Sequence, residues 1–356
     1  MSYEAEARRK ARELADAERV RILALETSCD ETAAAVIENG RKILSNVVFS
    51  QIDLHELYGG VVPEIASRAH MEACDRVIDE ALEKAGMALA EVDALAVTKG
   101  PGLVGALLTG VNCMKGIAFA TGKPLVGVNH IEGHVSANYL CSPWLEPPFL
   151  CLVVSGGHSH LVQVEDYGKT RTIGQTRDDA AGEAFDKAAR VLGLPYPGGP
   201  RIDALAEEGD PEAYRLPKPK TEGRYDYSFS GLKTAFLNLC HGMESRGEKL
   251  KKADLAASFR AAVCQELTEK AERMLRDRRE SGEAPLAMAM AGGVSANREL
   301  RRRMKALCEK EKIPLAMPEI GLCTDNAAMI GSAAYYRLRQ GETAGLGMNA
   351  EPALRL

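Results

Sequence analysis

The chain has 356 residues, of which 46% are hydrophobic and 27% charged, and a formal net charge of −5. That length suggests two domains, each large enough for its own core, in an ordinary globular composition. The acidic balance excludes nucleic-acid binding by bulk charge, so an RNA partner would need a local basic patch or a second protein to hold it.

The first 20 residues, MSYEAEARRKARELADAERV, lack the apolar stretch of a secretory signal and are too acidic for a transit peptide. They predict a short, charged, exposed helix that extends the fold. No apolar run approaches the length of a membrane span. The nine cysteines, Cys29, Cys74, Cys113, Cys141, Cys151, Cys240, Cys264, Cys308 and Cys323, are odd in number and form no C-x-x-C pair. That pattern argues against a disulfide framework or a zinc knuckle and for a reducing compartment.

Residues 22–50, ILALETSCDETAAAVIENGRKILSNVVFS, read as strand, polar turn, strand, Asn-Gly turn and strand. VDALAVTKGPGLVGALLTGV follows as strand, glycine loop and helix. Its Lys99–Gly105 segment is no Walker A motif, because no G-K-[ST] follows. Pro124–Val128 then leads as a strand into NHIEGH and a helix. The order repeats. FLCLVVSGGHSHLVQVEDYGKTRTI gives strand, Ser/Gly turn, strand, turn and strand. PLAMAMAGGVSANRELRRRM gives strand, glycine turn and helix, and Pro314–Met317 leads into PEIGLCTDNAAMIGSAAYY. Three correspondences in the same order point to two related α/β halves, 21–148 and 149–356, facing each other across a cleft. Residues 209–247 have no counterpart and read as an insertion with a loop.

His130 and His134, at i and i+4, share one helical face and can chelate a metal. Asp325, at the corresponding turn of the second half, supplies a carboxylate; its plainer role is a helix N-cap. A His₂Asp set suits iron, zinc or manganese. A zinc protease would carry Glu directly after the first His, where this chain has Ile131. Ser155-Gly156-Gly157 ends a strand and offers consecutive N–H groups to a phosphate. Gly292 to Asn297 form a glycine turn at a helix start, with Asn297 able to meet a base or ribose or to cap the helix. Asp186 could meet ribose hydroxyls or be neutralised by Lys187; Pro197-Gly198-Gly199-Pro200 and Asp203 follow it. Arg298, Arg301, Arg302, Arg303, Lys305, Lys218, Lys220 and the cluster at 249–252 form either solvated faces or a phosphate-backbone track.

The motifs ETSCDET, VPEIASRAH, KGPGLVGAL, NHIEGH, VSGGHS, DDAAGEAFDKAARVLGLPYPGGP, SFSGLKTA, AGGVSAN and CTDNAAMIG occur together in this order. Over about Arg21 to Gly347 the chain resembles the bacterial tRNA threonylcarbamoyl-adenosine transferase family, which has archaeal and eukaryotic relatives. The resemblance implies the duplicated α/β fold of actin, the heat-shock chaperone ATPases and the sugar kinases, around a nucleotide cleft. It implies transfer of threonylcarbamoyl from threonylcarbamoyl-AMP to the N6 amine of the adenosine 3′ of the anticodon, in tRNAs that read codons starting with A. By motif, His130, His134 and Asp325 would hold one divalent metal, iron in the first place and zinc as the alternative. Val153, Val154, Ser155, Gly156, Gly157, Asp186, Gly199, Asp203 and Asn297 would contact substrate and nucleotide. Archaeal members place a Tyr ligand where this chain has Val153, so water or substrate would fill that position. Expected partners are tRNA, an inactive paralogue subunit and a small ATPase, in the cytoplasm and without a membrane. Rival readings are a kinase or ATPase of the same fold, a small-molecule carbamoyltransferase and a non-catalytic scaffold. No Cys or Ser stands in a recognisable nucleophile–base set.

Overall fold

The computed structural model describes residues 2–284 and 286–356. Met1 and Pro285, at the heads of the predicted first helix and of the predicted strand PLAMAM, lie outside them. The chain forms two compact units. One comprises Met1–Pro147, Asp166–Lys169 and Pro318–Leu356, the other Pro148–Glu165 and Thr170–Met317. A single cut after residue 148 therefore does not describe them, because the segment from Pro318 onward packs with the first unit.

In the first unit the elements run α1 (Tyr3–Ala15), β1 (Arg21–Glu26), β2 (Glu31–Glu38), β3 (Lys42–Ser50), α2 (Ile52–Glu56), α3 (Pro63–Ala85), β4 (Ala94–Gly100), α4 (Val104–Thr121), β5 (Leu125–Asn129) and α5 (His130–Cys141). The sheet order is β3-β2-β1-β4-β5. β2 lies antiparallel to β1 and β3, whereas β1, β4 and β5 are parallel. The β2–β3 turn uses Asn39 and Gly40 at φ 53° and 68°, the left-handed pair that a two-residue hairpin turn demands. Every residue from Ile22 to Glu26 is buried, as expected for a strand covered on both faces. Leu23 and Leu25 pack toward residues of α3 and α4, and Ile22 and Ala24 toward the opposite layer.

Two expectations change here. α1 is not free: Ala7 and Ala11 are buried, Tyr3 Oη donates to the Lys123 carbonyl at 3.0 Å, and Lys10 Nζ donates to the Gly122 carbonyl at 2.8 Å. The alanines recur at helical spacing and were hidden among charges. α4 is, by length and composition, apolar enough to cross a membrane. Its Val111, Met114 and Ala118 instead join the core with residues of α3 and β1, so it is a core helix of this unit.

The second unit contains β6 (Phe149–Val154), β7 (Ser159–Asp166), β8 (Lys169–Gln175), α6 (Ala181–Val191), α7 (Gly198–Leu205), α8 (Ser230–Ser245), α9 (Lys252–Glu280), β9 (Ala287–Ala291), α10 (Arg298–Glu311) and β10 (Leu315–Ala316). Its sheet order, β10-β9-β6-β7-β8, repeats that of the first. β6 is again antiparallel to β7 and parallel to β9, and β9 is parallel to β10. The duplication read from the sequence is thus a duplication of topology. The segment predicted as an insertion includes α8, whose Leu232, Phe236 and Cys240 are buried in this unit's core. Asp178 anchors the start of α8, accepting from the amides of Phe229 at 2.8 Å and Ser230 at 3.2 Å.

The chain then enters α11 (Ala327–Arg339), which packs against α5, β1 and β2. Its Ala327, Met329, Ile330, Ala333 and Ala334 are buried in one cluster with Ile22, Ala24, Ala33 and Ala35. That apolar face explains why this last segment belongs to the first unit.

Candidate metal centre and glycine turns

Parallel strands align their carboxyl ends, and ligands of open α/β sheets bind at that edge. In the first unit β1, β4 and β5 deliver Glu26, Gly100 and Asn129 there. Asn129 caps α5, its side-chain oxygen accepting from the Ile131 amide at 2.8 Å and the Glu132 amide at 3.4 Å. The cap starts the helix at His130, so His130 and His134 occupy one face within the first two turns. Neither is a surface residue: His130 is 6% exposed and His134 fully buried.

Asp325 sits in the turn before α11. The expected capping role falls to its neighbour Asn326, whose side chain accepts from the Met329 amide at 3.0 Å. Asp325 is thereby free to face the histidines. Its Oδ1 lies 3.4 Å from His130 Nε2 and 3.2 Å from His134 Nε2. The three ligand atoms fall within 4.8 Å of one another. Ligands about 2.0–2.1 Å from an ion at tetrahedral angles stand about 3.4 Å apart, which both separations from Asp325 match. Among the described residues His134 Nδ1 has no hydrogen-bond partner, and Nε2 has only the Asp325 contact. A buried imidazole left so is costly unless something else satisfies it.

Glu26 is the residue that sequence reasoning missed. It is fully buried at the end of β1 and accepts from the Ser28 amide and the Thr98 hydroxyl. Its Oε2 lies 3.1 Å from His130 Nδ1. A carboxylate on the far nitrogen fixes the tautomer and turns Nε2 toward the metal position. Burial opposes the charge on Glu26, but His130 outweighs it and holds the carboxyl below its usual range. Burial likewise opposes a charge on His130, and Asp325 and Glu26 outweigh it. Glu31 shows the opposite balance: burial, with Asp30 and Asp325 nearby, pushes its carboxyl up to about 10. The neighbourhood holds more acid than its cations neutralise, a setting that favours a bound cation.

Ser28 Oγ lies 3.1 Å from His130 Nδ1, a pairing not foreseen from the sequence. It does not make Ser28 an activated nucleophile. The Glu26 carboxylate beside Nδ1 requires the proton on that nitrogen, which leaves no lone pair to deprotonate the hydroxyl. Ser28 is also only 2% exposed.

The second unit carries a different edge. Val153 and Val154 are fully buried in β6, Val153 paired with both β7 and β9 and Val154 with β7, so neither side chain is offered to a ligand. Ser155 closes the turn: its amide donates to the His158 carbonyl at 2.8 Å and its Oγ accepts from the His158 amide at 3.2 Å. Gly156 and Gly157 are exposed, and among the described residues their amides make no hydrogen bond. At the end of the adjacent β9, Gly292 adopts φ 85°, and a Cβ there would stand 2.4 Å from the Val154 carbonyl oxygen. Only glycine lets the two turns lie so close. Ser295 Oγ is buried without a partner among the described residues. Asn297 caps α10, accepting from the Leu300 amide at 3.0 Å.

Asp186 is not neutralised by Lys187. Its Oδ1 accepts from the amides of Gly198 at 2.8 Å and Gly199 at 3.3 Å, pinning the Pro-Gly-Gly-Pro turn. Lys187 pairs with Glu183 at 2.6 Å and Asp179 at 3.5 Å, because i,i+4 residues on a helix meet and i,i+1 residues do not. Asp203 takes Arg260 Nη1 at 2.9 Å and the Arg298 amide at 3.3 Å, joining α7, α9 and α10. On α10 both Arg302 and Arg303 pair with Glu299, so two residues of the predicted basic set already face a carboxylate.

A family model described as tRNA N6-adenosine threonylcarbamoyltransferase matches residues 42–332. A protein of that name from Clostridium perfringens (strain SM101 / Type A) is 55% identical over 336 residues, covering 94% of this chain and 98% of the relative. One from Clostridium botulinum (strain Kyoto / Type A2) is 52% identical over 340 residues, covering 95% and 98%. The chain belongs to the tRNA N6-adenosine threonylcarbamoyltransferase family. Among solved structures, full-length HypF in its phosphate- and nucleotide-bound form shares 13% identity at a TM-score of 0.60, over 91% of this chain and 47% of that one. Component A of the Acidaminococcus fermentans (R)-2-hydroxyglutaryl-CoA dehydratase shares 14% at 0.54, over 90% and 99%. These likenesses concern the fold, the duplicated α/β architecture expected from the sequence.

Proposed function

We propose that this threonylcarbamoyltransferase moves a threonylcarbamoyl group from threonylcarbamoyl-AMP to the N6 amine of the adenosine 3′ of the anticodon, in tRNAs reading codons that start with A. Family membership supports the reaction. The single structural observation that carries the site is the convergence of His130, His134 and Asp325, with the fully buried His134 imidazole meeting no polar partner but Asp325 among the described residues. Those three residues would hold one divalent ion, and a His₂-carboxylate set with open positions favours iron(II), with zinc as the alternative. When bound, the ion supplies Lewis-acid stabilisation of charge developing on the donor.

The chain's own residues do the rest. Glu26 keeps the proton on His130 Nδ1, so that Nε2 offers its lone pair. In the second unit the exposed amides of Gly156 and Gly157 are oriented donors for the phosphate of the donor nucleotide. Asn297 Nδ2 has no partner among the described residues and can meet the adenosine, its oxygen being committed to the cap. Bond formation from the amine nitrogen to the carbamoyl carbon accompanies cleavage of that carbon's bond to the phosphate oxygen; AMP leaves, and the proton lost by the amine passes to its phosphate or to water. No enzyme-bound acyl intermediate is required, since Ser28 lacks a base. The amine is a weak nucleophile, so holding both reactants together contributes much of the rate.

An inactive paralogue and a small ATPase are the expected partners. The acidic net charge and the pairing of Arg302 and Arg303 with Glu299 support a tRNA surface completed by another subunit. All nine cysteines are free thiols, which suits the reducing cytoplasm. The test supplies threonylcarbamoyl-AMP, undermodified tRNA and the partners, and looks for the modified nucleoside by mass spectrometry. Full activity in both His130→Ala and Asp325→Ala proteins would sink the metal reading. Product formed only on a small-molecule acceptor would sink the tRNA reading.

A further inference from the structure

One ion pair, buried at Glu132 and partly exposed at Arg337, takes no part in the ligand set, yet it joins the two helices that frame it. Glu132 lies two residues after His130 and two before His134, so it projects from the opposite side of α5. It is 6% exposed. Arg337, in the last turn of α11, places Nε 3.0 and 2.9 Å from its two carboxylate oxygens, and Nη2 also reaches Oε2. Before the other end of α11, beyond its Asn326 cap, stands Asp325. Between the histidines the helices nearly touch: a Cβ on Gly133 would lie 2.7 Å from Ile330 Cδ1.

We propose that Glu132 and Arg337 form a positioning clamp that sets the rotation and register of α5 against α11, so that the imidazoles of His130 and His134 converge on Asp325. This rests on the metal reading above. The tolerance is tight. Side-chain tips lie about 5–6 Å from a helix axis, so a rotation of about 20° carries them about 2 Å, whereas metal–ligand distances hold to about 0.2 Å. A close helix contact at Gly133 fixes separation but not rotation. A bidentate fork on the far side of α5 fixes rotation, and a guanidinium does this better than an ammonium, which holds the carboxylate at one point.

The test measures Zn²⁺ affinity by competition with a chromophoric chelator, and the visible spectrum of the Co²⁺ form, on the full chain. The variants are Glu132→Gln, Arg337→Met, Arg337→Lys and the double Glu132→Gln/Arg337→Met. The clamp predicts Zn²⁺ affinity about 10–100-fold weaker in each of the first two, with an altered Co²⁺ spectrum. Arg337→Lys falls between them and the wild type, and the double variant loses no more than a single one. Unchanged affinity and spectrum in folded Glu132→Gln protein, even with a lowered thermal midpoint, assigns the pair to stability alone and overturns the clamp. If Glu132→Gln fails to fold, Arg337→Lys decides, and wild-type affinity there overturns it. Wild-type protein that binds neither ion overturns the metal reading itself, a result distinct from failure of the clamp.

Discussion

The two units share one strand order and one edge of parallel carboxyl ends, yet they furnish that edge with opposite chemistry. The first places ionisable side chains there: Glu26, His130, His134 and Asp325, mostly buried and in contact through the imidazoles. The second places backbone there: the Ser155–Gly157 turn and the turn opened by Gly292, with little formal charge. The contrast shows that a duplicated scaffold fixes where a ligand group sits, not what holds it. A side-chain set concentrates charge and suits a cation. A glycine turn offers amide N–H groups and suits a phosphate.

Four experiments would break or sharpen that contrast, in descending order of expected effect. Replacing His130 or Asp325 by Ala should lower tRNA modification by about 100-fold or more and empty the metal site. Metal analysis and nucleoside mass spectrometry check this, and nucleotide binding should survive. Glu26→Gln keeps the shape but removes the charge that orients His130, so metal affinity should fall about 10–100-fold, measurable by chelator competition. Gly292→Ala should cost about 1–3 kcal/mol, through its φ of 85° and the contact with the Val154 carbonyl, in denaturant unfolding. It should weaken nucleotide binding and leave metal content intact; loss of metal there would break the division of labour.

The smallest effect concerns the segment with no counterpart in the first unit. Hydrogen bonds from Arg224 and Tyr225 hold the Asp277 carboxyl down at about 2. A depressed carboxyl contributes stability above its ordinary pKa of about 4, and that contribution is lost as pH falls toward the folded value. Amide protection of residues 221–227 should therefore decline over that interval. Asp277→Asn should show the weaker protection already at neutral pH, and equal protection in both proteins would remove the tether.

Much of the site was legible because its signals are local. Two histidines four apart on a helix declare a shared face, and the capping Asn129 declares where the helix begins. Asp325 was reached through the repeat rather than through spacing. Glu26 escaped because its partner is 104 residues away and nothing in a buried strand end distinguishes a second carboxylate. The Lys187 pairing was open at sequence level, and helical geometry decided it for Glu183.

The sequence by itself determined the doubled α/β order, the turns at the strand ends and the candidate pair His130 and His134, because each depends on residues a few positions apart or on the repeat. Only the tertiary structure decided that the final helix packs with the first unit. Its alanines and Ile330 need an apolar face to cover, and Ile22, Ala24, Ala33 and Ala35 provide one. That packing joins Asp325 to the two histidines and sets Arg337 against Glu132. No local pattern encodes it, since it depends on which sheet face is complementary once both are built.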